Sequence, residues 1–453
     1  MEYVIGILLL LSFFVLAVYC IKGYNLMIGL LGITVFWTLL PIVGHFTVTN
    51  PEFLAAHPEV AELSIISIIN DAFQAGPEAW GTTLVNVLWG VWFGRVLLET
   101  GVSATIIRKT VELGGDRPVV TMALLNIVTA VIFTSMSGAG PVIAIGVIVL
   151  PIMISLGIPK SIALFSFMGS VGAGIYLNPV IFTQYRAYFL EPGEMEEFNL
   201  GWWTVHWGIY ALLVMLAVTT VMAIFFVRKN KAGHAWAAQA PLAQNEEEKK
   251  DAPYPALIAP LLPVLGVIVL DLSVIFGFIA AGFYAMWLCG RLKGGFKAVC
   301  QLVNRLYYDG VVDTAPLVGF LLTLPMFNKV ASYCAPYFQA VLGNVFPRST
   351  LMLCILFAAL SAFGLFRGPM TLVGCGAATL GVVSAFGFSV PFLYACFAIP
   401  TITMNNSFCI TQSWVAWGLA YTKVEGKEYL RMSIPTGYIV SILLYAVTYI
   451  IFG

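Results

Sequence analysis

Arg367 stands immediately before Gly368-Pro369, inside an otherwise apolar stretch. A guanidinium presents paired planar donors that match a carboxylate. At membrane depth such a charge is expensive and marks a ligand path; in a cytoplasmic loop it would only follow the usual bias of basic residues. Two polar patches follow long apolar runs: Asn178, Thr183 and Gln184 in one, and Asn405, Asn406, Ser407, Thr411 and Gln412 in the other. Amides and hydroxyls of this kind bind carboxylate and hydroxyl groups or supply oxygens to Na⁺. They also serve as interhelical hydrogen bonds in membrane bundles. Two carboxylates, Glu99 and Asp313, are the candidates to carry a proton. Arg95 and Glu99 are four apart, so they share a helix face and could pair. Asp309 and Asp313 show the same spacing.

These residues fall into two copies of one pattern. Ser137-Gly-Ala-Gly-Pro141 and Phe366-Arg-Gly-Pro369 each open an apolar run that ends in a polar patch. Gly140/Gly368, Pro141/Pro369, Gly146/Gly374, Asn178/Asn406, Thr183/Thr411 and Gln184/Gln412 are all separated by 228 positions. The middle of the repeat fits less well, as a compensating pair of small shifts would cause. Proline suits the first position of a helix, and the glycine before it permits a sharp break. Each copy is therefore expected to start a helix at a break in or near the membrane. The free N–H groups there favour an anion, with Ser137, Gly138, Gly140 and Gly368 at the two ends. An ordinary interhelical turn containing Gly-Pro is the other reading of either copy alone.

The elements that position these groups are membrane helices. Sixty per cent of residues are hydrophobic, 10% are charged, and mean hydropathy is +0.94. Runs of about 20 apolar residues suffice to cross a bilayer as helix and are far too long for barrel strands. The expected fold is all-α and polytopic: two inverted-topology repeats with broken or re-entrant helices, in about 12–14 membrane segments, placed near 3–21, 26–44, 79–102, 119–136, 141–157, 160–178, 202–227, 255–271, 274–290, 310–328, 349–365, 369–387, 391–411 and 433–452. The charged linker 228–254 separates an N-terminal repeat, 1–227, from a C-terminal one, 255–453. The chain starts Met-Glu-Tyr with no basic leader, which reads as an uncleaved first span.

Eighteen of the 22 Lys and Arg, from Lys22 to Arg431, fall on one side of this arrangement. That side is cytoplasmic by the positive-inside rule, with the N-terminus outside. Span 349–365 is the seventh after 119–136. An odd count makes the two copies cross in opposite directions. Inverted repeats of this sort hold substrate near the midplane of secondary transporters. Four histidines and eight scattered cysteines form no metal-ligand or haem pattern, so no cofactor or metal is expected beyond a co-transported H⁺ or Na⁺. The same scarcity of ligands argues against a redox subunit. The inverted duplication argues against a channel.

The chain resembles the gluconate:proton symporter (gluconate permease) family within the ion transporter superfamily of organic-anion permeases. The resemblance lies in Gly94-Arg95 … Glu99-Thr-Gly101, in the repeated region, and in Asn405-Asn406 … Tyr421 … Glu425-Gly-Lys-Glu428. It implies two re-entrant hairpins, a cytoplasmic (inner) membrane location and often a homodimer. Together the residues and the resemblance point to a non-enzymatic permease. It would move a small organic carboxylate, such as a sugar acid, citrate or a C4-dicarboxylate, by H⁺ or Na⁺ symport. A Na⁺/H⁺ antiporter on the same architecture is the alternative. The partners expected are the organic anion, H⁺ or Na⁺ and the lipid bilayer, and no nucleic acid.

Overall fold

The computed structural model describes the chain except residues 22–23, 116, 191–192, 230–250, 271, 344–346, 375 and 385, and the side chains of 17, 20, 21, 26, 82, 316, 317, 320, 321, 377 and 378. Lys22, Asp271 and most of the charged linker thus lie outside the described residues. Regular structure among the described residues is helical throughout. The principal helices are α1 (Glu2–Ile21), α2 (Leu26–Thr47), α3 (Gly81–Glu99), α4 (Val102–Gly114), α5 (Pro118–Phe133), α6 (Ala139–Ser155), α7 (Lys160–Ile175), α8 (Pro179–Arg186), α9 (Ile209–Lys229), α10 (Leu262–Leu270), α11 (Val274–Leu288), α12 (Phe296–Leu342), α13 (Thr350–Leu360), α14 (Gly376–Ser384), α15 (Val390–Ile399), α16 (Ser413–Thr422) and α17 (Gly426–Phe452).

Among the described residues, five helical stretches are long and apolar enough to cross a bilayer, or six if α7 and α8, bent by 66° at their break, count as one. α5, α6, α10 and α11 are shorter apolar helices. The chain is a multi-pass membrane protein. Two expected spans take a different form. The span 310–328 is only the middle of α12, which runs for 47 residues. The span 369–387 contains just the nine residues of α14. With a rise of about 1.5 Å per residue, α13 and α14 each reach about half the ~30 Å of hydrocarbon. The chain between 350 and 384 therefore enters and returns as a hairpin. α5 and α6 form the first hairpin, joined through residues 134–138; at 16 and 17 residues they measure about 24 and 26 Å, nearer the full thickness.

The two halves of the chain interlock. α12 packs along α1, α2 and α3 from the first half and along α14 from the second. α7 is buried over its whole length, between α5, α9 and a π-helical segment, Pro400–Phe408, that continues α15. Small residues allow that crossing: a Cβ placed on Gly172 would lie 1.8 Å from the Ser407 Oγ. Only glycine lets the two backbones come this close.

Candidate functional site

The two hairpin tips are built differently. In the first, α5 ends at Phe133 and the chain turns through Gly138, whose φ of +95° suits glycine alone. α6 begins at the next residue, so Gly140 and Pro141 lie in its first turn, as expected from the sequence. In the second, α13 runs into a 3₁₀ turn, Ser361–Arg367, and Phe366 and Arg367 both adopt left-handed backbone with φ of +56° and +57°. Non-glycine residues held there cost about 1–3 kcal/mol each. Gly368-Pro369 does not open a helix, contrary to expectation. The chain makes a series of turns and α14 starts only at Gly376. The turns are held from outside the hairpin: the Leu372 N–H donates to the Thr401 Oγ1 at 3.0 Å, and the Phe366 N–H to the Cys409 Sγ at 3.1 Å.

The helix breaks differ too. Asn178 caps α8: its Oδ1 accepts from the Val180 and Ile181 N–H groups at 3.0 and 3.2 Å. Its Nδ2 donates to the Phe133 and Met136 carbonyls at 3.1 and 3.0 Å, which ties the break to the first hairpin. Asn406 sits inside the π-helix. Its Nδ2 donates to the Tyr185 hydroxyl at 2.9 Å, and its Oδ1 accepts from Asn405 Nδ2 at 3.2 Å and Gln412 Nε2 at 3.4 Å. The Trp414 indole donates to the Asn406 carbonyl at 2.7 Å. The Asn405 Oδ1 is buried with no partner among the described residues.

A cavity of about 310 Å³ lies where these pieces meet. Its wall takes Ser137 to Pro141 from the first tip, Arg367 from the second, Gln184 and Tyr185 from α8, and Asn406, Gln412 and Trp414 from the second break. α12 adds Asp313 and Thr314, and α3 adds Val87 and Val91. Of the residues singled out above, the wall thus carries Ser137, Gly138, Gly140, Gln184, Arg367, Asn406, Gln412 and Asp313. Asn178, Thr183, Gly368, Asn405, Thr411 and Glu99 are not on it. Thr183 lines a neighbouring cavity with Arg186 and Lys329. The Thr411 hydroxyl meets the Cys409 thiol at 3.0 Å. Tyr185 and Trp414 went unrecognised as wall residues. Tyr185 follows Gln184 directly, and that adjacency was the available signal.

The charges are arranged across helices rather than along one. The Arg95–Glu99 pair that the spacing allows does not form. α12 lies against α3, and its Asp313 and Arg305 capture the two partners. The Arg95 Nε donates to the Asp313 Oδ2 at 2.6 Å, while Glu99 lies 3.1 Å from Arg305 and 3.9 Å from Arg291. Asp309 is exposed. Arg367 is half-buried and, among the described residues, makes no ion pair or side-chain hydrogen bond. The cavity therefore has one balanced pair and one cation without a counter-charge. No group of three or more metal-ligating side chains occurs among the described residues.

No family model and no curated protein matches the chain. A solved structure does: the YdaH transporter of Alcanivorax borkumensis, described as having an unusual topology, is similar over 93% of this chain and 97% of its own, with a TM-score of 0.56 and 13% sequence identity. The chain has the fold of that membrane transporter. The likeness spans nearly the whole of both chains.

Proposed function

We propose that the protein is a secondary active transporter that moves a small organic carboxylate across the cytoplasmic membrane by symport. The observation that carries this reading is the Arg367 guanidinium. It lines an interior cavity and has no counter-charge among the described residues. A cation on the wall of a membrane cavity attracts an anion, and a guanidinium selects a carboxylate by paired hydrogen bonds. The volume of about 310 Å³ suits a metabolite of sugar-acid, citrate or C4-dicarboxylate size. Gln184, Gln412 and Asn406 supply neutral donors and acceptors for its hydroxyl or second carboxyl groups. The permease resemblance points the same way. Of the two proton candidates, Asp313 is on the cavity wall and Glu99 is held by arginines away from it. The test is uptake of labelled organic acids into proteoliposomes under an imposed pH or Na⁺ gradient. Acid uptake that requires one gradient supports the proposal. Pulses of pH that drive Na⁺ while no organic acid moves would show an antiporter instead.

A further inference from the structure

The carboxylate of Asp313 lies directly on the first hairpin tip. A Cβ built on Gly140 would meet the Asp313 Oδ2 at 2.5 Å and its Cγ at 3.0 Å. The same oxygen accepts the 2.6 Å hydrogen bond from the Arg95 Nε. An anion thus already sits between a guanidinium and the first turn of α6, on the wall of the substrate cavity. That turn ends a helix whose free N–H groups and dipole attract negative charge. Gly140 leaves room for the carboxylate where any side chain would exclude it.

We infer that Asp313 is a tethered stand-in for the substrate's carboxylate, and that Arg95 is the cation passed from one to the other. The inference rests on the carboxylate reading of the cavity. In the empty carrier Asp313 holds Arg95 and the tip. A proton taken from solution converts its carboxylate to a neutral acid, which releases both. The incoming carboxylate then binds Arg367 and takes up the donors of Arg95 and the tip that Asp313 has given up. One proton and one negative charge enter together, so the charge of the site does not change. Arg95 and Arg367 with ionised Asp313 sum to one positive charge; Arg95 and Arg367 with protonated Asp313 and a monoanion sum to the same. Transfer of an uncompensated charge through the bilayer is thereby avoided. Arg367 and Tyr185 are the other titratable groups on the cavity wall, and Arg95 is tied to that wall through Asp313. Asp309 is exposed, and Glu99 is engaged by Arg305. This arrangement assigns the coupling to H⁺ rather than Na⁺.

The experiment measures binding of gluconate, lactate, succinate and citrate to the purified full-length protein by thermal shift and calorimetry, between pH 5 and 8. For the wild-type protein, binding that takes up one proton should weaken as pH rises, with a limiting slope of about tenfold per pH unit. Asp313→Asn keeps the shape and removes the competitor, so it should bind at pH 8 as tightly as at pH 5. Gly140→Ala, which pushes the carboxylate off the tip, should flatten the profile in part. Arg95→Gln combined with Asp313→Asn leaves no buried charge unpaired, yet should still lose the acid. An acid that binds the wild-type protein and shows the same pH slope in Asp313→Asn would overturn the inference and leave the transporter reading intact. If none of the acids binds any variant, the carboxylate reading falls and the inference with it. Hydrogen exchange of residues 137–142 gives a readout without ligand. Faster exchange in Asp313→Asn is expected; unchanged exchange would also overturn the inference.

Discussion

The first copy of the repeat is stapled and the second is open. At the first break one residue, Asn178, satisfies two helix N–H groups and two hairpin carbonyls. At the second, a nine-residue π-helix leaves the Asn405 Oδ1 without a partner and sends Asn406 to the cavity. The first tip relieves its turn with a glycine in the left-handed region. The second holds Phe366 and Arg367 there at a conformational cost. The two segments thus differ in build: the first is tied by hydrogen bonds and a glycine turn, while the second puts Arg367, Asn406, Gln412 and Trp414 on the cavity wall. Strained backbone tends to collect at functional sites, and of the two tips it is the second that holds non-glycine residues at positive φ.

The largest test of this difference is at the tips. Arg367→Gln removes a cavity cation from the second copy, and the loss of about 2–5 kcal/mol for a buried charged contact should cut uptake roughly a hundredfold or more. Ser137→Ala in the first copy should cost well under tenfold, about the 0.5–1.5 kcal/mol of one neutral hydrogen bond. Similar losses from the two changes, measured in proteoliposomes at equal protein content, would erase the contrast.

A second test strikes the frame itself. Gly172→Leu forces a side chain into the Ser407 contact where α7 crosses the π-helix. Overpacking costs about 1–3 kcal/mol or more. The expected result is a melting temperature several degrees lower, with binding reduced only in proportion to folded protein.

The two asparagines separate the copies next. Asn178→Ala should lower stability by about 1–3 kcal/mol through the lost cap and the orphaned carbonyls, with affinity per folded molecule unchanged. Asn406→Ala should do the reverse: a small change in melting temperature and about tenfold weaker binding, equivalent to about 1.4 kcal/mol. A paired measurement of melting and binding decides both. The smallest effect is expected at Glu99→Gln, which breaks partly exposed pairs with Arg305 and Arg291. Such pairs contribute about 0–1 kcal/mol, and the pH dependence of uptake should not change.

Much of this was legible in the residues. The 228-residue offset found both tips and both breaks, because a duplication fixes spacing before it fixes anything else. The offset misleads at Asn178 and Asn406. One caps a helix and the other lies within one, since the π-helix Pro400–Phe408 delays the second break until Cys409. A π turn depends on tertiary packing and leaves no periodic signal. The Gly-Pro rule held at Pro141 and failed at Pro369, where Thr401 and Cys409, about 30 to 40 residues further on, hold the turns. The Arg95–Asp313 pair joins residues 218 apart. Sequence spacing offered Glu99 instead, one helical turn away, because local periodicity cannot see which helix will lie alongside.

At about 1.5 Å per residue, the 47 residues of α12 measure about 70 Å. A bilayer with its headgroups is only about 40–45 Å thick. The helix that carries Asp313 must therefore lean steeply or emerge from the lipid. Any change in that tilt would carry Asp313 with it, so the depth of its carboxylate is tied to the thickness of the surrounding lipid.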